Sequence, residues 1–394
     1  MCHPERERDG MRRPIPRRSR KIALQSKVLK AQKGRLAMAK RIKLGEMDVA
    51  TIGLDLADQW SDWAAIGKDG EIKVRQRVRT TEPELRKTFG SMRPTVMAME
   101  VGTHSAWVSR VLSSCGHKVI VANARKVALI HRNKRKNNRI DAELLARLAR
   151  ADEKLLFPIT HRDEQSQADL ALLRSRDLMI GARTKLINHV RGSSKVFGTK
   201  LPKCSTPAFV NRCQPMLPEP IKNALGLILE HITKMTEHIE TYDKQIEQMA
   251  KRYPAAQQLM QITGVGTLTA LAFVLTIEDP HRIVRSRSAG PYFGLVPGSD
   301  DSGETHVQKR ITKEGDRHCR RLLVLAAHYI LGPFGPDSDL RRHGLEIAAR
   351  GGKNAKKRAV VAVARKLAVV MHHLWISGDT YVPLFNSQQT AAAA

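Results

Sequence analysis

Four side chains in this sequence have the type and setting for phosphodiester chemistry: Asp55, Glu100, Asp141 and Ser302. Asp55 lies inside the apolar run Thr51-Ile52-Gly53-Leu54-Asp55-Leu56-Ala57, where a carboxylate costs free energy unless something pairs with it. Glu100 closes the run Thr95-Val96-Met97-Ala98-Met99-Glu100, and Asp141 shares a helical segment with the Ile140, Leu144, Leu145, Leu148 stripe. Any one of these acids, taken alone, reads as a strand-end or surface carboxylate. Three from separate elements, converging at one sheet edge, are what a Mg²⁺ site for phosphodiester cleavage requires. Ser302 falls in a polar loop over residues 298–306, ahead of Lys309, Arg310, Lys313, Arg317, Arg320 and Arg321. A serine there could attack a phosphate while the cations steady the developing charge, but Asp-Ser-Gly is common turn chemistry, and from the residues alone Ser302 reads as a turn residue.

The elements that must position these residues follow from hydrophobic period. Apolar runs predict strands over 50–57, 63–66 and 72–78, with Lys68-Asp69-Gly70 as a hairpin turn between the last two. A helix over 83–89, a strand over 95–100, a helix over 103–115, a strand over 118–122 and a helix through Asp141 come next. A three-strand meander followed by alternating helix and strand predicts a mixed α/β sheet of the ribonuclease-H type. Beyond it, Leu225, Ile228, Ile232, Met235, Ile239, Tyr242, Ile246 and Met249 step alternately by three and four, a heptad seam that predicts a coiled coil, intermolecular or within a hairpin. Residues 174–191 are the other helical arm and 192–220 the turn between them. The division expected is a basic arm over 1–46, a catalytic domain over 47–155, a helical coiled-coil region over 156–254, a mostly helical C-terminal domain over 255–385 and a short tail.

Charge points to the partner. Lys and Arg number 68 against 38 Asp and Glu, a net charge of +30, which attracts polyanions by counterion release. From Gly10 to Gly45 there are thirteen Lys/Arg and no acid, so this arm is expected to be disordered, with 22–42 becoming helical on binding. Aromatics are only 4% of the chain, which argues against base stacking as the main grip on nucleic acid. The five cysteines form no CxxC pair, so neither a zinc site nor a disulfide framework is expected, in keeping with a reducing cytoplasm. No transmembrane run or signal segment stands out, and DNA is favoured over a membrane surface. Gly264 and Gly266, in Ile262-Thr263-Gly264-Val265-Gly266, have the G-x-G of a helix-hairpin-helix whose backbone N–H groups could meet a phosphate, with simple helix packing as an equal explanation. Lys356, Lys357 and Arg358 open a last helix over 355–375, and His372-His373, being adjacent, point apart and make a poor metal pair.

Taken together the chain resembles the DEDD-type insertion-sequence transposases, over roughly residues 48–380. The marks are Gly53-Leu54-Asp55, Met99-Glu100-Val101-Gly102, Lys136-Asn137-Asn138-Arg139-Ile140-Asp141-Ala142, Gly264-Val265-Gly266, Gly294-Leu295-Val296-Pro297, Ser302-Gly303 and Gly315-Asp316-Arg317, in that order. The resemblance implies a resolvase-like domain of the ribonuclease-H type joined to a serine-bearing domain, cutting and rejoining DNA with Mg²⁺ as a homodimer or homotetramer. In some members a structured guide RNA selects the DNA. It assigns the metal to Asp55, Glu100 and Asp141 and the nucleophile to Ser302. The acid that the pattern carries three residues before Asp141 is Asn138 here, a neutral oxygen donor that supplies no charge. That position leaves three readings open: a site that tolerates Asn138, compensation by an acid such as Glu143, or a copy that binds without recombining. A metal-dependent nuclease or junction resolvase, with Ser302 only a turn residue, and a nucleic-acid-binding protein without activity are the alternatives.

Overall fold

The computed structural model describes residues 48–124, 126–127, 138–302 and 305–386; the basic arm, the C-terminal tail and Gly303 lie outside the described residues. The chain divides into two compact units, one ending at His161 and one beginning at Arg162.

In the first unit the predicted meander forms as β1 (Val49–Asp55), β2 (Trp60–Gly67) and β3 (Ile72–Arg79), followed by α1 (Glu82–Phe89), β4 (Val96–Glu100), α2 (Ser105–Ser114), β5 (Lys118–Ala122) and α3 (Asn138–Ala151). The sheet order is β3-β2-β1-β4-β5, with β1 antiparallel to β2 but parallel to β4. This mixed α/β sheet is compatible with the ribonuclease-H type expected. Strand alternation sorts the side chains cleanly. Ile52, Leu54, Trp63, Val74, Met97 and Met99 are buried on one face, over α1 and α2. On the other, Ala98, Ile120 and Ala122 pack against Leu145 and Ala149 of α3. The second strand starts three residues earlier than its apolar run suggested, because Ser61 is fully buried and its hydroxyl pairs with that of Thr80 at 2.8 Å.

The second unit is mostly helical. Two long helices, α4 (Glu164–Val196) and α5 (Glu219–Ala250), run antiparallel, as shown by Arg176 bonding Asp243 and Arg183 donating to Thr236 at 3.0 Å. Leu225, Ile232, Ile239 and Ile246 of the heptad seam are buried against α4 of the same chain, so they face inward and not towards a second molecule. The connecting segment has a small core of its own, in which Phe209, Cys213 and Leu217 pack with Val190 and Leu225. At the base, buried Asp169 accepts from Arg252 at 2.9 Å and from the Tyr253 hydroxyl at 2.5 Å, tying the start of α4 to the end of α5.

The rest of the unit is α6 (Thr267–Ile277), a hairpin of β6 (Pro297–Ser302) and β7 (Thr305–Ile311), α7 (Arg317–Leu331), α8 (Asp339–Ala349) and α9 (Ala355–Ser377). The stretch expected as a polar loop around Ser302 is therefore an antiparallel hairpin, with Ser302 opposite Thr305. Its base is held backbone to backbone. Gly294 and Gly315 both take positive φ, and a Cβ on Gly315 would stand 2.0 Å from the Tyr292 carbonyl, so only glycine lets these segments close. By length and composition α9 could cross a membrane, but half of its most apolar stretch is buried, and Leu367, Met371 and His372 are fully enclosed. His372 sits in the core between Ser286 and the Pro280 carbonyl, 3.0 and 2.9 Å away, as a packed residue and not a ligand.

Candidate active site and nucleic-acid interface

The first unit brings three of the predicted acids to one end of its sheet. Leu54 of β1 is in register with Met99 of β4, so Asp55 and Glu100, the next residues, end two parallel neighbours side by side. Helix α3 approaches β1 at Gly53, where a Cβ would lie 1.9 Å from the Ala142 carbonyl oxygen and 2.6 Å from the Ala146 nitrogen. Thr51 donates to the Ala146 carbonyl at 3.0 Å. Thr51, Gly53 and hence Asp55 thus share the face that α3 covers. Two strand residues advance about 6.6 Å and one helical turn of four residues about 6 Å. The turn before Ala142 begins at Asn138, so the first turn of α3, which carries Asp141, stands beside Asp55. The glycine of the Gly-Leu-Asp motif is there to let the helix in.

An acid missed from the sequence joins this row. Asp62 of β2 is in register with Asp55 and with Arg77 of β3, giving Arg77, Asp62, Asp55 and Glu100 across four adjacent strands on the α3 face. Asp62 is 6% exposed, and the Arg77 guanidinium comes within 3.5 Å of its carboxylate. The signal was present in the hairpin turn at 68–70, which fixes the pairing of β2 with β3, but Trp60-Ser61-Asp62 has no apolar alternation to announce a strand. Glu143, the acid weighed as compensation for Asn138, is otherwise engaged. Burial works to raise its pKa, but Arg75 at 2.6 Å and Arg147 at 2.9 Å outweigh it and hold the carboxyl below its ordinary value. Chemically the row offers carboxylate oxygens, the donors a hard divalent cation takes. Among the described residues no group of three His, Cys, Asp or Glu side chains is placed so that it could hold a metal ion; the side chain of Asn138 lies outside them.

In the second unit Ser302 ends β6, and its side chain lies outside the described residues. The cations expected to follow it separate into two groups. Arg320 donates to the Phe293 and Glu314 carbonyls at 3.1 and 2.7 Å, and Arg321 pairs with Asp177 of α4, so both hold the fold together. Beside them burial lowers the pKa of His318 in spite of Asp177. Arg317 is exposed. Lys309, Arg310 and Lys313 instead line a cavity of about 800 Å³ between the hairpin, α8 and α9. Arg350, Lys357, Arg358, Arg365 and Lys366 complete its wall, over a floor of Leu295, Ile347 and Val361, and no acid lines it. His343 faces the same space, its pKa pushed down by burial and by Lys366. Sequence reading offered Lys357 and Arg358 to phosphates but gave Arg350, Arg365 and Lys366 no such role; packing of the hairpin, α8 and α9 gathers all eight cations from three segments. Of the G-x-G pair, Gly264 has φ +94 and packs against α7, with a Cβ there 3.1 Å from the Tyr329 ring, while Gly266 caps α6 with open space before it.

A mixed sheet bearing acids at one end of one face, followed by a helical unit with a basic groove, defines a protein that works on nucleic acid. Comparison with known proteins carries this further. Residues 52–193 match the DEDD transposase family model and residues 256–339 a model described as Transposase IS116/IS110/IS902 family, together more than half of the chain. The transposase for insertion sequence element IS1111A of Coxiella burnetii is 26% identical over 356 residues, 88% of this chain and 95% of the relative. The transposase for insertion sequence element IS1328 of Yersinia enterocolitica is 28% identical over 71% of this chain and 83% of its own, and a probable family 20 transposase of Pseudomonas aeruginosa 25% identical over 86% and 100%. The chain belongs to the DEDD-type insertion-sequence transposases and is an enzyme of DNA transposition.

Proposed function

We propose that this transposase cuts and rejoins DNA with Asp55, Glu100 and Asp141 as the ligands of Mg²⁺, Asn138 as a neutral oxygen donor beside them, and Ser302 as the nucleophile. The observation that carries the reading is the shared end and face of Asp55 and Glu100, with the first turn of α3 brought against it at Gly53. When bound, the cation would polarise a phosphate oxygen and offset the charge that builds up at phosphorus. The Ser302 hydroxyl oxygen attacks phosphorus, the bond to the 3′-oxygen breaks, and that oxygen leaves with a proton as a free 3′-hydroxyl. Attack by a 3′-hydroxyl on the phosphoserine link reverses the step and restores the serine.

The groove around Lys309, Arg310, Lys313 and Arg365 fits a sugar–phosphate backbone, its cations set on phosphates and its apolar floor on sugars. Arg317, exposed at the start of α7, and Gly266, with open space before α6, are further phosphate contacts in this reading. We infer an even-numbered homo-oligomer with a composite site, and a structured guide RNA as the second polyanion accommodated by a net charge of +30. The cytoplasm, in association with the nucleoid, is the place of action. The test is covalent trapping on element-end DNA. The native chain is expected to yield a phenol-partitioning protein–DNA adduct and the Ser302→Ala variant none. Free ends without an adduct from the native chain would establish instead a metal nuclease in which water attacks.

A further inference from the structure

Trp60 is placed oddly for a large aromatic. It opens β2 at 39% exposure, while Trp63, three residues on, is 1% exposed and packs edge-on against Phe89 at 5.4 Å. An indole normally gains by being buried. Trp60 is held out nonetheless, because the backbone on either side is fixed: buried Ser61 pairs with Thr80, and the Thr80 hydroxyl donates to the Ala57 carbonyl at 2.7 Å.

Register places it next to the acids. Asp62 faces α3 beside Asp55, so Trp60, two residues earlier, lies on that same face one step beyond the carboxylate row. Arg79 is its cross-strand partner, and the guanidinium carbons of Arg79 and Arg77 stand 5.2 and 5.9 Å from its ring centroid. Arg77 also reaches Asp62, which links the aromatic to the row. A phosphate nearing several carboxylates is repelled unless cations flank the approach. Arg77 and Arg79 supply them, and the indole adds a flat surface on which a base of any identity stacks.

We propose that Trp60, flanked by Arg77 and Arg79, is a platform that stacks an unpaired base of the DNA strand and sets its backbone along the carboxylate row. Trp60 is a positioning residue, and its role rests on the reading of that row as the phosphodiester site. It also assigns a local use to an aromatic in a chain whose composition argues against stacking as its general mode of grip.

The experiment uses the full chain in EDTA-containing buffer with oligo-dT and with a duplex as probes. Oligo-dT is expected to quench tryptophan emission in the native chain and far less in Trp60→Phe, which still stacks but no longer reports. Trp60→Ala should weaken oligo-dT binding about tenfold, with Trp60→Phe within about threefold of native and duplex affinity unchanged in both. Undiminished quenching in Trp60→Phe overturns the proposal, as does equal loss of oligo-dT and duplex binding in Trp60→Ala. If Trp60→Ala lowers the melting temperature, the quenching of the Phe variant decides alone. Asp55→Asn separates this from the reading it rests on: quenching should persist while joined product is lost. Joined product from Asp55→Asn would remove the carboxylate assignment and leave the platform standing.

Discussion

At the scale of single residues, Gly53 and Asn138 set how the site is built. A methyl on Gly53 would enter the backbone of α3, and because Ala142 and Ala146 contribute main-chain atoms, no side-chain rotation relieves the clash. Gly53→Ala is therefore expected to cost about 1–3 kcal/mol in thermal unfolding. It should also reduce DNA joining about a hundredfold, since the first turn of α3 moves away from Asp55. A variant with native melting temperature and native joining would show that the helix need not approach so closely. Asn138→Asp restores a charge at the start of α3 and is expected to lower the Mg²⁺ concentration giving half-maximal joining. If the native chain joins as fast at every Mg²⁺ concentration, the neutral residue is no handicap and Asp62, in the same row, is the acid to replace next.

At the scale of elements, Asp316 shows how α7 is set. Its carboxylate accepts from the Cys319 N–H at 2.8 Å as the cap of α7 and from Arg174 of α4 at 2.7 Å. Burial works to raise its pKa, but these two partners prevail and hold it below the ordinary aspartate value. A carboxyl with a depressed folded-state pKa contributes stability that is full above its unfolded value and is lost as pH falls through the folded one. Asp316→Ala should thus destabilise the chain by about 0.5–2 kcal/mol at neutral pH. The deficit should shrink as pH falls below 3.8 in denaturant titrations; a deficit independent of pH there would mean the charge contributes nothing. The same contacts show why the basic cluster, continuous along the chain, divides in the fold. Arg320 and Arg321 sit among phosphate-ready cations along the chain, but their partners, backbone carbonyls and Asp177 of α4, come from the fold. Strands were easier to read, since alternation and apolar runs mark them locally. Asp62 escaped because its strand begins on polar residues held by a buried Ser61–Thr80 pair. The heptad seam was legible as a seam, while the helix it faces is not written in its spacing.

At the scale of the whole molecule, the charge of +30 governs binding to any polyanion, but its distribution decides where the polyanion lies. The groove between the hairpin, α8 and α9 gathers eight Lys and Arg without an acid. Lys357→Ala and Arg365→Ala are each expected to lower the slope of log affinity against log salt by about one, nearly alike for different DNA sequences, because a phosphate contact carries no sequence information. A slope unchanged in both would place the nucleic acid elsewhere.

The helical hairpin has a consequence of length. Helices of 33 and 32 residues, at about 1.5 Å per residue, extend about 48 Å, close to fourteen base pairs of B-form DNA at about 3.4 Å each. Apolar cores anchor both extremities, one through Leu170, Leu173, Ile246 and Met249 and the other through Phe209 and Leu217. The arm is a ruler. Because its seam repeats every seven residues, its span can be changed without loss of packing only by matched insertions in α4 and α5, each heptad adding about 10 Å, or three base pairs.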